Sequence, residues 1–152
     1  MLIDEKTKEN FLKEVNEVLL LILQNFGSDF PKEGGGFFRL WTRSGKSLIE
    51  SPVGDIPPEE EEIRDIISKS RAEKKVQQIE KRNELTKKDP EENVGAIVAG
   101  LFVLSFSGLP SHADEALCLG VAVKMGWLEQ KDATKLASIN QNQYWKKLKK
   151  LL

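Results

Sequence analysis

Residues Gly95–Leu128 read GAIVAGLFVLSFSGLPSHADEALCLGVAVKMGWL. The apolar run as far as Phe106 is broken chiefly at Gly100, so it predicts a short strand, a tight connection and a longer strand, Leu101 to Phe106. Gly108 and Pro110 then impose a sharp turn, and an amphipathic helix is expected over Ser111–Trp127. Ser111 at the N-cap and Asp114 three residues on form a capping-box-like pair, whose short polar side chains would satisfy orphan backbone N–H groups. Strand, turn and capped helix agree on one local structure, which decides the fold class.

Working outward, Phe11, Val15, Val18, Leu19, Ile22 and Phe26 share one face of a helix predicted over Thr7–Phe26. Gly27 follows at the position where a left-handed residue commonly ends a helix. Leu20, Leu21 and Leu23 widen the apolar face and point to a helix covered on two sides, one of them by a partner subunit. Ser28–Gly36, with Pro31 and the triplet Gly34-Gly35-Gly36, reads as a loop. Phe37–Trp41 and Ser47–Ser51 read as a hairpin whose turn uses Gly45, followed by a second loop over Pro52–Pro58. Pro58 to about Leu85 is a charged helix with a narrow stripe of Ile63, Ile66, Ile67, Val76 and Ile79, and Thr86–Asn93 is a polar loop. A last helix is expected from Asp132 to the C-terminus.

The order α-β-β-α-β-β-α-α defines an α+β fold, with a mostly antiparallel sheet and flanking helices. One domain over 1–152 is expected at this length, with a C-terminal helical extension at about 130–152. Hydrophobic residues at 39% and charged residues at 31% fit a globular chain, and a net charge of −1 excludes the basic excess of a bulk nucleic-acid binder. No apolar run is long enough for a membrane span. The N-terminal Met-Leu-Ile-Asp-Glu-Lys lacks the pattern of a signal peptide. Cys118 is the single cysteine, so no internal disulfide can form and the expected address is cytoplasmic.

Chemistry-bearing motifs are few. Ser107, Gly108, Pro110, Ser111, His112 and Asp114 form the candidate ligand-binding site, because a helix start favours anions and polar groups. Capping competes with that reading, since Asp114 would repel a second anion. His112 is the only histidine, which excludes a multi-histidine metal site. Ser111, His112 and Asp114 share one helical turn and point apart, unlike a triad, so no catalytic residue is assigned and an enzyme is disfavoured. Ser44-Gly45-Lys46-Ser47 lacks the upstream glycine and the following helix of a phosphate loop. Cys118 reads as a buried small hydrophobe. Tyr144–Leu152 would form a basic amphipathic helix of roughly two and a half turns, its lysines placed to suit the helix dipole.

Ser105-Phe106-Ser107-Gly108-Leu109-Pro110 followed by Asp114-Glu115-Ala116 resembles the GlcG-like and HbpS-like domain family, which includes the C-terminal domain of PduO-type proteins. The order of elements from Phe11 to Val123 is similar as well. The chain departs from the family in carrying Glu91-Glu92-Asn93-Val94, not a glycine-rich stretch, before the last strand pair. The resemblance implies a profilin-like topology, self-association and, in some members, haem or another tetrapyrrole as ligand, for which His112 would be the single axial side chain. The resulting expectation is a non-catalytic, homo-oligomeric domain that binds a small molecule. The alternative is a protein-interaction adaptor that uses the charged helix 58–85.

Overall fold

The chain runs α1 (Glu5–Phe26), β1 (Gly35–Thr42), β2 (Ser47–Gly54), α2 (Pro58–Glu80), β3 (Ala96–Ala99), β4 (Phe102–Ser107), α3 (Ser111–Lys124), α4 (Gln130–Ile139) and α5 (Trp145–Leu148). This is a computed structural model, and it describes residues 3–30, 34–81, 90 and 94–152. The four strands form one antiparallel sheet in the order β2-β1-β4-β3. The fold is α+β with helices on the sheet, as the element order predicts. Among the described residues no helix is long and apolar enough to cross a membrane.

Alternation along the strands divides the interior. Phe38 and Leu40 of β1 and Phe102, Leu104 and Phe106 of β4 join a large cluster with α1 and α3. Their neighbours Trp41 and Val103 pack with Ala72, Val76, Ile79 and Val98 in a smaller cluster beneath α2. Successive residues of a strand point to opposite faces, so α1 and α3 lie on one side of the sheet and α2 on the other. Phe11 packs edge-on to Phe38 at 5.4 Å and stacks on Trp127 at 5.6 Å, which ties α1 to the sheet and to the connection between α3 and α4.

Several elements depart from the sequence expectation. Gly27 has φ −58°, and the chain passes from α1 into a 3-10 turn, not a left-handed cap. The glycine triplet is not simply a loop: Gly35 and Gly36 open β1 and pair with Gly54 and Val53. A Cβ on Gly36 would collide with Ser107 O and Gly108, so glycine lets two backbones touch there. Pro52 likewise sits within β2, an edge strand, where a missing N–H is tolerated.

The helix α3 is buried on every side from Ala113 to Ala122 and is not amphipathic. Small residues make this feasible; a Cβ on Gly120 would press on Val18 of α1. The capping box is also absent. Pro110 is the N-cap, Ser111 is the first helical residue, and no side chain caps the helix.

The predicted last helix is two helices. Asn142 Oδ1 accepts the N–H groups of Tyr144 and Trp145 at 3.0 and 3.3 Å, and Gln141 takes φ 55°. That local bonding competes with helix continuation and breaks the chain between α4 and α5. The basic C-terminal helix shrinks to Trp145–Leu148, with Trp145 and Leu148 buried. The described part of α2 ends at Glu80, and the expected extension to Leu85 and most of the Thr86–Asn93 loop lie outside the described residues.

Candidate functional site

The face that α2 turns inward is polar. Ser68, Arg71, Ala72 and Lys75 are buried, at the i, i+3, i+4, i+7 positions of one stripe, whereas Ile63 and Ile66 are exposed. The sheet meets this face with Arg39 and Ser105, paired across β1 and β4. Arg39 Nε donates to Ser68 Oγ at 3.1 Å and forms ion pairs with Asp65 and, at 2.6 Å, with Glu50. Ser105 Oγ donates to the Ser68 carbonyl at 2.7 Å. Partial burial works against the charge on Glu50, but hydrogen bonds from Ser47 and Trp41 and the Arg39 guanidinium outweigh it and hold the carboxyl below its ordinary value.

Arg71 reaches from the α2 layer past the end of the sheet to α3. Its Nη1 donates to Asp114 Oδ2 and to the Phe106 carbonyl, both at 2.8 Å. Gly95, at φ +127°, makes the passage possible, because a Cβ there would overlap the guanidinium. Asp114 Oδ1 accepts the Leu109 N–H at 2.8 Å, so this carboxylate fastens the turn before the helix. Burial pushes the Asp114 carboxyl up to about 7, against the pull of the Arg71 charge and of both hydrogen bonds.

The sequence-predicted residues are thus brought together at one turn, where Gly108, His112 and Asp114 make contacts that hold the fold. Gly108 packs on the Gly35–Gly36 backbone. Ser107 is buried, and its Oγ has no hydrogen-bond partner among the described residues. His112 Nε2 lies 3.0 Å from the Asn140 carbonyl, and the His112 carbonyl accepts from Asn142 Nδ2 at 2.6 Å. Burial raises the Cys118 thiol well above its ordinary value, reinforced by the nearby Asp114 charge. A thiol held neutral in this way is a poor nucleophile. No group of three or more His, Cys, Asp or Glu among the described residues is arranged to hold a metal ion.

A cleft lined by Glu115 of α3 lies between the outer strand β3 and α4. It has a volume of about 390 Å³, within the range typical of small-molecule sites. Ile97, Leu128, Leu136 and Ile139 supply apolar wall, and Lys75, Glu115 and Asn140 supply buried polar groups. Asp132, Lys135, Leu136 and Ile139 fall at helical spacing, so one stripe of α4 faces the cleft while Ala133 and Ala137 enter the core. Glu115 is held by Asn140 Nδ2 at 2.6 Å and by Asn142 Nδ2 at 2.9 Å.

None of Lys75, Glu115 and Asn140 stands out in the sequence. The available signal was Asp114-Glu115 standing as adjacent acids within an otherwise apolar helix, together with the seven-residue separation of Ser68 and Lys75. No family model, curated protein or solved structure matches the chain.

Proposed function

We propose that this chain is a non-catalytic small-molecule-binding domain whose ligand occupies the cleft between β3 and α4. One observation carries the reading: apolar walls and three buried polar side chains, Lys75, Glu115 and Asn140, line the same space of about 390 Å³. A few convergent polar groups in an apolar concavity are the usual makings of a ligand site.

Haem does not fit this cleft. None of the described residues lining it is His, Cys, Met or Tyr, and the Nε2 of His112, outside the lining, lies against the Asn140 carbonyl. The proposed ligand is accordingly a smaller molecule without a metal centre. A cytoplasmic address and self-association belong to the same proposal. They are supported by the lone buried thiol of Cys118 and by Leu20, 54% exposed on α1.

Nile red, a neutral apolar dye, tests the cleft. Its fluorescence is expected to rise saturably with the native protein and to be lost in Ile139→Trp, which fills the space. Undiminished dye binding by a folded Ile139→Trp variant rules the cleft out. A second reading, the adaptor, is favoured by Ile63 and Ile66, 48% and 55% exposed one helical turn apart on α2. Ile63→Glu/Ile66→Glu is expected to leave dye binding intact, and would abolish association with a protein partner if α2 is the docking face.

A further inference from the structure

We infer that the cleft takes a short extended peptide with one net negative charge, which joins the sheet as an added strand beside β3; this rests on the ligand-binding reading above. β3 is the last strand in the order β2-β1-β4-β3, and among the described residues it pairs with β4 alone. Phe106 N donates to the Gly95 carbonyl at 3.0 Å, and in the same ladder Ala96 stands opposite Ser105. Residue pairs in an antiparallel ladder alternate between those that exchange hydrogen bonds and those that do not. Gly95, Ile97 and Ala99 therefore turn their N–H and C=O groups to β4, whereas those of Ala96 and Val98 point away from it. Both of these residues line the cleft, Val98 half-buried and Ala96 buried. Outward backbone groups at a sheet margin match the donors and acceptors of another extended chain.

The rest of the lining sets the length and character of that chain. At a rise of about 3.4 Å per residue, the four residues of β3 suit a peptide of about three or four. α4 packs on α3 and α5 and faces β3 across the cleft. Ile97, Leu136 and Ile139 present apolar surface to the peptide side chains. Five charged residues share the lining. Lys75 and Glu115 are opposite in sign, and both make further contacts within the protein. The choice of charge rests on the other three: Arg43 and Lys135, both exposed, outnumber the half-buried Asp132. Arg43 Nη1 donates to the Gly100 carbonyl at 3.0 Å, which places its guanidinium at the turn end of β3. An excess of positive charge at the mouth favours a peptide that carries a free carboxylate and no ammonium.

Isothermal titration of the unaltered chain with acetylated valyl-leucyl-valine, its C-terminal carboxylate free, provides the test. The peptide is expected to bind saturably, and its C-terminal amide about threefold or more weaker. Only alternate residues of an added strand donate to β3, so two N-methylated forms should differ, one methylated on the leucine nitrogen and one on both valine nitrogens. One form is expected to bind at least about tenfold weaker than the parent, and the other to stay within about threefold. Equal affinities for the two methylated forms, or for acid and amide, overturn the inference. So does the absence of tripeptide binding up to about 10 mM in protein that still binds Nile red, an outcome that leaves the cleft itself standing. Val98→Pro removes one N–H directed at the cleft and none that serves β4, a change that an edge strand tolerates. It should weaken the tripeptide at least about tenfold, and undiminished binding by the folded variant also overturns the inference. Should Val98→Pro fail to fold, the peptide series on the unaltered chain decides the question.

Discussion

Arg71 and Asp114 belong to helices on opposite sides of the sheet, yet their side chains meet at 2.8 Å through the notch that Gly95 leaves at its end. The pair joins the α2 layer to the start of α3, and with Leu109 N–H it fixes the turn before that helix.

Gly95→Ala tests the notch. The residue stands at φ +127°, and a Cβ would overlap the guanidinium. Backbone strain alone costs about 1–3 kcal/mol, and displacement of Arg71 adds to it. Urea unfolding should show a loss of at least about 2 kcal/mol. A change within about 0.5 kcal/mol, typical of an innocuous surface site, would mean that Arg71 moves aside at no cost.

Asp114 makes stability depend on pH in an unusual direction for a carboxylate. Its folded pKa, about 7, lies above the ordinary 3.8, so folding favours the protonated form. The associated stability is fully present below about pH 4, declines as the pH rises, and is gone above about pH 7. Asp114→Asn removes the titration. The unfolding free energy of the parent minus that of the variant should therefore fall between pH 4.5 and 8, by up to a few kcal/mol. A difference that stays constant across that range contradicts the assignment.

At the C-terminus the weight falls on the apolar residues. Trp145 is 2% exposed, and its Nε1 donates to Thr134 Oγ1 at 3.0 Å. Trp145→Ala should cost about 3–5 kcal/mol by thermal or denaturant unfolding. Lys146→Ala and Lys150→Ala should each stay within about 0.5 kcal/mol. Comparable losses from the lysines would restore importance to the basic face.

Cys118 should be silent in the native protein. Its thiol is fully buried and pushed toward the neutral form, so an aromatic disulfide reagent at pH 8 should leave it unmodified over minutes. It should then react with about one equivalent once urea is added. Prompt reaction without denaturant would show that α3 opens readily.

Much of this architecture is legible in the amino-acid order. The stretch Gly95–Leu128 gives β3, β4 and α3 because small and apolar residues mark two strands and a helix, and Gly100 and Pro110 mark the breaks. Gly45 marks the hairpin, where its φ is +92°. The inward face of α2 was hidden, because its stripe of Ser68, Arg71 and Lys75 resembles solvated surface until Arg39 and Ser105 are placed opposite it. The split between α4 and α5 was hidden for a different reason: it depends on which backbone groups the Asn142 side chain reaches. The candidate ligand site read from the sequence, Ser107 to Asp114, does not form the cleft. The cleft draws on α2, β3, α3 and α4, whose proximity is a property of the folded chain alone.

The two outer strands of the sheet end differently, and together they limit how molecules of this protein can meet. Pro52 interrupts the outer margin of β2, while β3 looks across the cleft toward α4. Neither margin offers a long, flat, uninterrupted template to a strand from another chain. Continuous sheets running from molecule to molecule are therefore disfavoured.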